Sequence, residues 1–112
     1  MRDEIRKCFF DIQQACSDIV EFIGEQQFED YVRDLKTQRA VEREFEIIGE
    51  ALNRIKREDP ELLENVSEHH KIIGFRNILA HGYDMVDEII VWKAITEHLP
   101  ILMAEVKLVM GS

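Results

Sequence analysis

The chain has 112 residues, 46% of them hydrophobic, and a net charge of −9. That length suits one domain around one core, and no run approaches the roughly 18–20 apolar residues that a membrane-spanning helix needs. The acidic balance argues against broad, nonspecific adhesion to nucleic acid. The charge is unevenly spread. Residues 1–32 carry eight acids against three bases and 84–112 carry five against two, whereas 33–83 carry nine bases against ten acids. A local positive site therefore belongs in the middle of the chain, and the acidic ends suit a basic protein partner. No apolar segment of the signal-peptide kind follows the charged start Met1-Arg2-Asp3-Glu4, so the expectation is a cytoplasmic protein with a single domain over 1–112.

Taken in order, the elements are helical. Ile5, Phe9, Ile12, Cys16, Ile19 and Ile23 recur at steps of three or four, which predicts a first amphipathic helix ending at Gly24. Cys8 and Cys16 share that helix about 12 Å apart, too far for a mutual disulfide, and read as core thiols. A second helix is predicted from near Phe28 to about Glu58, bending early, with Val41, Phe45, Ile48, Leu52 and Ile55 as its buried stripe. Asp59-Pro60 then opens a turn and a short helix with Pro60 at its first position, broken over Asn65–Ser67. A fourth helix covers about Glu68 to His81 and stops at Gly82. A fifth starts at the N-cap Asp87, carries Ile90, Trp92, Ile95, Leu99, Leu102, Val106 and Val109, and is kinked by Pro100. Strand signals are nearly absent. The fold class is all-α: an antiparallel up-and-down bundle of four main helices plus a short one.

The chemistry concentrates in Arg76-Asn77-Ile78-Leu79-Ala80-His81-Gly82-Tyr83. An arginine holds phosphate oxygens in a planar fork, and a histidine moves a proton near neutral pH. Together they can cut a phosphodiester. Helical residues advance about 100° each, so Asn77 and His81 share a face while Arg76 and His81 lie near 140° apart. One straight helix does not aim both at one point. Arg76 must curl around, or two copies of the helix must line one cleft. The plain alternative is an exposed arginine and a histidine favoured at a helix C-terminus by the helix dipole.

Gly74 lies in mid-helix, where glycine costs about 1 kcal/mol relative to alanine. Close approach by another backbone compensates for this, either within the chain or across a dimer, and Gly49 raises the same question. Glu42, Glu46 and Glu50 form a stripe at four-residue spacing, solvated or paired with arginines. Arg39 and Arg43 beside it either contact phosphate or pair with those glutamates. None of the four histidines has a glutamate three residues before it, so no carboxylate-bridged metal site is expected. His69-His70 read as surface or capping residues, His98 as structural, and Trp92 and Phe75 as core. The sequence gives no sign of a cofactor.

Arg-x4-His-x-Tyr at Arg76, His81 and Tyr83 resembles the HEPN superfamily, and most closely the HepT toxins. The likeness extends to Ala40-Val41-Glu42-Arg43 leading into Ile47-Ile48-Gly49-Glu50-Ala51, to Val91-Trp92 and to Leu99-Pro100, so that it covers roughly residues 28–104. Where many relatives carry a tryptophan before the motif, this chain has Asn65–His70. The resemblance implies a helical homodimer whose motif helices form one cleft, and a metal-independent endoribonuclease acting as a toxin. On this reading the catalytic residues are His81, which takes the 2′-hydroxyl proton, Arg76, which stabilises the transition state, and Asn77, which orients His81 or binds phosphate. The resemblance also implies a small nucleotidyltransferase antitoxin as partner, which transfers AMP from ATP to Tyr83 and so silences the toxin. The rival reading is a catalytically inactive dimeric module that docks the nucleotidyltransferase.

Overall fold

The computed structural model describes residues 1–81 and 87–111, with the side chains of Ala80 and His81 excepted. Within them the chain is all-helical, as its periodicity predicts. The first helix, α1, spans Asp3–Ile23. Gly24 ends it with φ of +54°, a conformation glycine adopts without a Cβ penalty, and its N–H donates to Val20 O at 3.0 Å. Every apolar residue of the predicted stripe is buried, and so are both cysteines. Burial pushes the Cys16 thiol up to about 12, so it is a core residue with little nucleophilic character.

The long second helix divides in two. A single turn, α2 (Phe28–Tyr31), is followed by a break at 32–34 and then by α3 (Leu35–Glu58). Asp34 makes the break by capping the new helix: it accepts from Thr37 N at 3.1 Å and from Thr37 Oγ1 at 2.6 Å. Gln26 Nε2 adds a third bond to Asp34, and the buried Gln38 ties α3 back to Tyr31 O at 2.8 Å. Pro60 opens a short 3-10 turn over Pro60–Leu63, as expected.

The fourth helix, α4, spans His69–His81. Among its described side chains Ile72, Phe75 and Leu79 are buried, and Phe75 meets Phe45 of α3 edge-on with ring centroids 5.1 Å apart. Its head is tied to the far end of the chain. Ser67 donates through its backbone N and its hydroxyl to Glu105, at 3.2 and 2.7 Å to Oε1. The buried Glu68 carboxylate lies 2.7 Å from His98 Nδ1, in an orientation that does not complete a hydrogen bond. This gives His98 the structural place expected of it. The predicted helix stop at Gly82 lies outside the described residues.

The last helix is not a simple kinked rod. It runs as α5 (Glu88–Lys93), a π-helical turn over Ala94–His98, and α6 (Leu99–Val109). Pro100 has no N–H and crowds the carbonyl four residues back, and the widened turn accommodates it. Asp87 is the N-cap, accepting from Ile89 N at 2.8 Å. The core stripe begins at Val91 and continues through Ile95, Leu99, Leu102 and Val106, whereas Ile90, expected in the core, is 47% exposed. Trp92 is half-buried, packed on Phe28 and Tyr31.

Helix α3 is the centre of the bundle, packed on α1 on one side and α4 on the other, with α6 closing against α1. At the α1–α3 seam, burial raises the Glu44 carboxyl to about 7, reinforced by a hydrogen bond and the negative charge of Asp18. In the unfolded chain this group titrates near 4.5. The folded state therefore holds the extra proton, and the resulting stability is complete below 4.5 and is lost as pH rises through 7. Glu44→Gln is expected to remove that loss and raise the melting temperature at pH 8 by about 2–5 °C, with little change at pH 4. Thermal unfolding at the two pH values measures it.

Candidate active site on the fourth helix

Arg76 is held where α4 crosses α3, and Gly49 makes that crossing possible. A methyl group on Gly49 would overlap Arg76 Cβ and stand 2.6 Å from its Cγ. The arginine stem thus lies in a space that only glycine leaves open, which answers for Gly49 the question of what its missing side chain is for. Gly49→Ala is expected to push α4 off α3 and cost about 1–3 kcal/mol of stability, as overpacking does. Denaturant unfolding would show this as a lower midpoint at unchanged slope. Gly74 has a different surrounding. A methyl there would meet nothing within 4 Å, so no part of the described chain crosses at that point.

The guanidinium of Arg76 is bound at two corners. Nη2 donates to Glu50 Oε1 at 3.1 Å, and Nη1 donates to Asn77 Oδ1 at 3.3 Å. Nε is buried without a hydrogen-bond partner among the described residues. The structure thus brings Arg76 and Asn77 together and adds Glu50, which sequence reasoning left as one member of a glutamate stripe. His81 is the last residue of α4. Tyr83, the predicted modification site, lies outside the described residues.

Arg39 and Arg43 are on α3, each paired with a glutamate of its own helix: Arg39 with Glu42 at 3.3 Å, Arg43 with Glu46 at 3.5 Å. Both arginines are exposed, and exposed pairs of this kind are weak enough for a phosphate to compete. His69 and His70 stack with ring centroids 3.9 Å apart, and burial lowers the His69 imidazole from its ordinary range. No group of three metal-ligating side chains comes together among the described residues, and none of their helices is long and apolar enough to cross a membrane.

Two concavities flank the site. A groove of about 430 Å³ runs along the outer face of α4 against α5, floored by Gly74, Phe75, Ile78 and Ile90 and rimmed by Lys71 and Lys93. Ile78 and Ile90 are respectively 45% and 47% exposed, an apolar pair facing water beside a bare glycine backbone. A smaller, polar depression of about 220 Å³ on α1 and α3 includes Glu50, Arg54 and Asp11.

Comparison with known proteins gives a consistent answer. A family model described as ribonuclease HepT-like matches residues 12–109. A Methanocaldococcus jannaschii protein named by inference as an RNase is 32% identical over 106 residues, covering 95% of this chain and 96% of its own. A Thermococcus cleftensis protein, named by inference ribonuclease HepT, is 41% identical over 96 residues, 82% of this chain and 83% of its own. A Caldanaerobacter subterraneus protein named by inference as an RNase is 36% identical over 96 residues, with 86% and 85% coverage. No solved structure matches significantly.

Proposed function

The chain belongs to the HepT-like ribonuclease family of the HEPN superfamily, and from that premise we propose that it is a metal-independent endoribonuclease, the toxin of a toxin–antitoxin pair. The observation that carries the reading is Arg76, seated on Gly49 with its head bonded to Glu50 and Asn77. So fixed, it has terminal N–H groups without a partner among the described residues, and these serve a ligand. A planar fork of this kind matches a phosphate.

In this reaction His81 takes the proton from the 2′-hydroxyl, and the 2′-oxygen attacks the adjacent phosphorus. Arg76 stabilises charge on the five-coordinate transition state. The bond to the 5′-oxygen breaks and that oxygen takes up a proton, leaving a 2′,3′-cyclic phosphate and a 5′-hydroxyl. Asn77 contributes by holding Nη1. Arg39 and Arg43 serve as outer phosphate contacts.

The cleft is completed by a second copy. Helical spacing does not aim Arg76 and His81 at one point from one helix, and the bare Gly74 backbone with exposed Ile78 and Ile90 fits an isologous partner. RNA cleavage by the purified protein in EDTA, with cyclic-phosphate ends, tests the function, and light scattering at micromolar concentration tests the dimer. An uncut RNA alongside tight binding of the nucleotidyltransferase would replace the enzyme with the docking module.

Tyr83 is the control point. AMP on its hydroxyl adds bulk and negative charge beside the cleft, opposing RNA by sterics and repulsion. A phenol keeps its proton at neutral pH and is a poor base. Tyr83→Phe is therefore expected to keep RNase activity within a few fold and to gain no AMP when incubated with the partner nucleotidyltransferase and ATP. Intact mass reads the result: wild type gains one or more AMP units. Labelling of the variant would move the acceptor elsewhere.

A further inference from the structure

We propose that Glu50 is a positioning residue for Arg76, fixing the guanidinium in the orientation that meets the scissile phosphate. The inference rests on the reading of Arg76 as the phosphate-binding residue. It starts from the glutamate stripe on α3. Glu42 and Glu46 pair with Arg39 and Arg43 of the same helix. Glu50 pairs instead across the helix seam with Arg76 of α4, while Arg54, one turn further along α3, is taken by Glu58 at 2.9 Å. The stripe changes partner at the position that follows Gly49, where the Arg76 stem of α4 packs on α3.

Among the described residues, the contacts on Arg76 leave terminal N–H groups without a partner. Its stem is fixed against Gly49 and its Nε is enclosed. One N–H of Nη2 goes to Glu50 and one of Nη1 to Asn77. A guanidinium has five N–H groups, so among the described residues one on each terminal nitrogen is left without a partner, and a two-point grip on phosphate draws on two such donors. Without Glu50, rotation about the outer bonds of the side chain scatters that pair. Glu50 is 53% exposed and Arg76 27%, and a pair this open contributes little to folding. Its effect belongs to the site.

Two variants test this, Glu50→Ala and Glu50→Gln, the second keeping an amide oxygen that accepts the same hydrogen bond without the charge. The first readout needs no activity: the Arg76 Nη2–H cross-peak in a low-temperature nitrogen–proton correlation spectrum, assigned by its loss in Arg76→Lys. It should be sharp in wild type and Glu50→Gln, and broadened or lost in Glu50→Ala, with all melting temperatures alike. With RNA, Glu50→Ala should lower kcat about tenfold with KM within twofold, and Glu50→Gln should recover most of the loss, because a misplaced group slows the chemical step. An unchanged cross-peak in Glu50→Ala overturns the proposal, as does an equal or higher kcat, which would make the carboxylate a competing anion. A Glu50→Gln variant as impaired as the alanine also overturns it. If wild type cuts no RNA, the ribonuclease reading falls, and the cross-peak alone decides whether Glu50 holds Arg76.

Discussion

His81→Ala is expected to lose about 10²–10⁴-fold of RNA cleavage, the range that removal of a general base costs, while the folded state is retained. His81 is the final residue of α4, so the chain loses no interior helical position when it is truncated. The bundle is anchored elsewhere: Phe75 against Phe45, Ser67 on Glu105, and Glu68 beside His98. Single-turnover cleavage measures the loss, and circular dichroism with a melting curve confirms that the fold survives. A variant within a few fold of wild type would take His81 out of the mechanism and return it to the bland role of a cation at a helix C-terminus. A variant that melts far below wild type would make the residue part of the scaffold.

The fold was largely legible because this sequence carries one period throughout. The stripe from Ile5 to Ile23 and that from Val41 to Ile55 become the two buried faces that meet at the α1–α3 seam. Local chemistry decided where the pattern failed. The spacing predicts an early bend in the helix from Phe28, and the structure makes it a full break, because Asp34 offers Thr37 an N-cap that a through-going helix would leave unused. The irregularity at Pro100 was legible as a kink, yet its form, a π-helical turn, was not, nor was the exchange of Ile90 for Val91 in the core. That choice depends on which flank of α5 faces the bundle. Two neighbouring isoleucines and a valine at 89–91 offer three nearly equivalent stripes.

The candidate site was legible in its residue types and not in its wiring. Arg76 and Asn77 stand out by chemistry, whereas the pairing of Glu50 with Arg76 spans 26 positions and needs the α3–α4 crossing to be known. One signal pointed to it: a glycine immediately before the last glutamate of the stripe, in a helix where glycine has a cost. Gly49 and Gly74 looked alike in sequence, and the structure separates them, one filled by an arginine stem and the other open.

Arg76→Lys is expected to be nearly as damaging as Arg76→Ala, each losing about 10²–10³-fold in kcat, the loss seen when one preorganised donor to a developing anion is removed. Lysine keeps the charge, but its ammonium is a compact point with no planar fork. The geometry of this site makes the distinction sharp. The guanidinium meets Glu50 with one terminal nitrogen and Asn77 with the other, so both contacts and the remaining terminal donors are set by one rigid plane. A single ammonium cannot span the two acceptors and still present two parallel donors. It would settle on the Glu50 carboxylate, its strongest partner, and turn away from the phosphate. Folding should be little affected, since the lysine stem fits the same space over Gly49. Cleavage rates of the two variants under saturating RNA decide the matter. A lysine variant near the wild-type rate would mean that Arg76 acts as a diffuse charge, and the grip on phosphate would then have to be sought on Arg39 or Arg43.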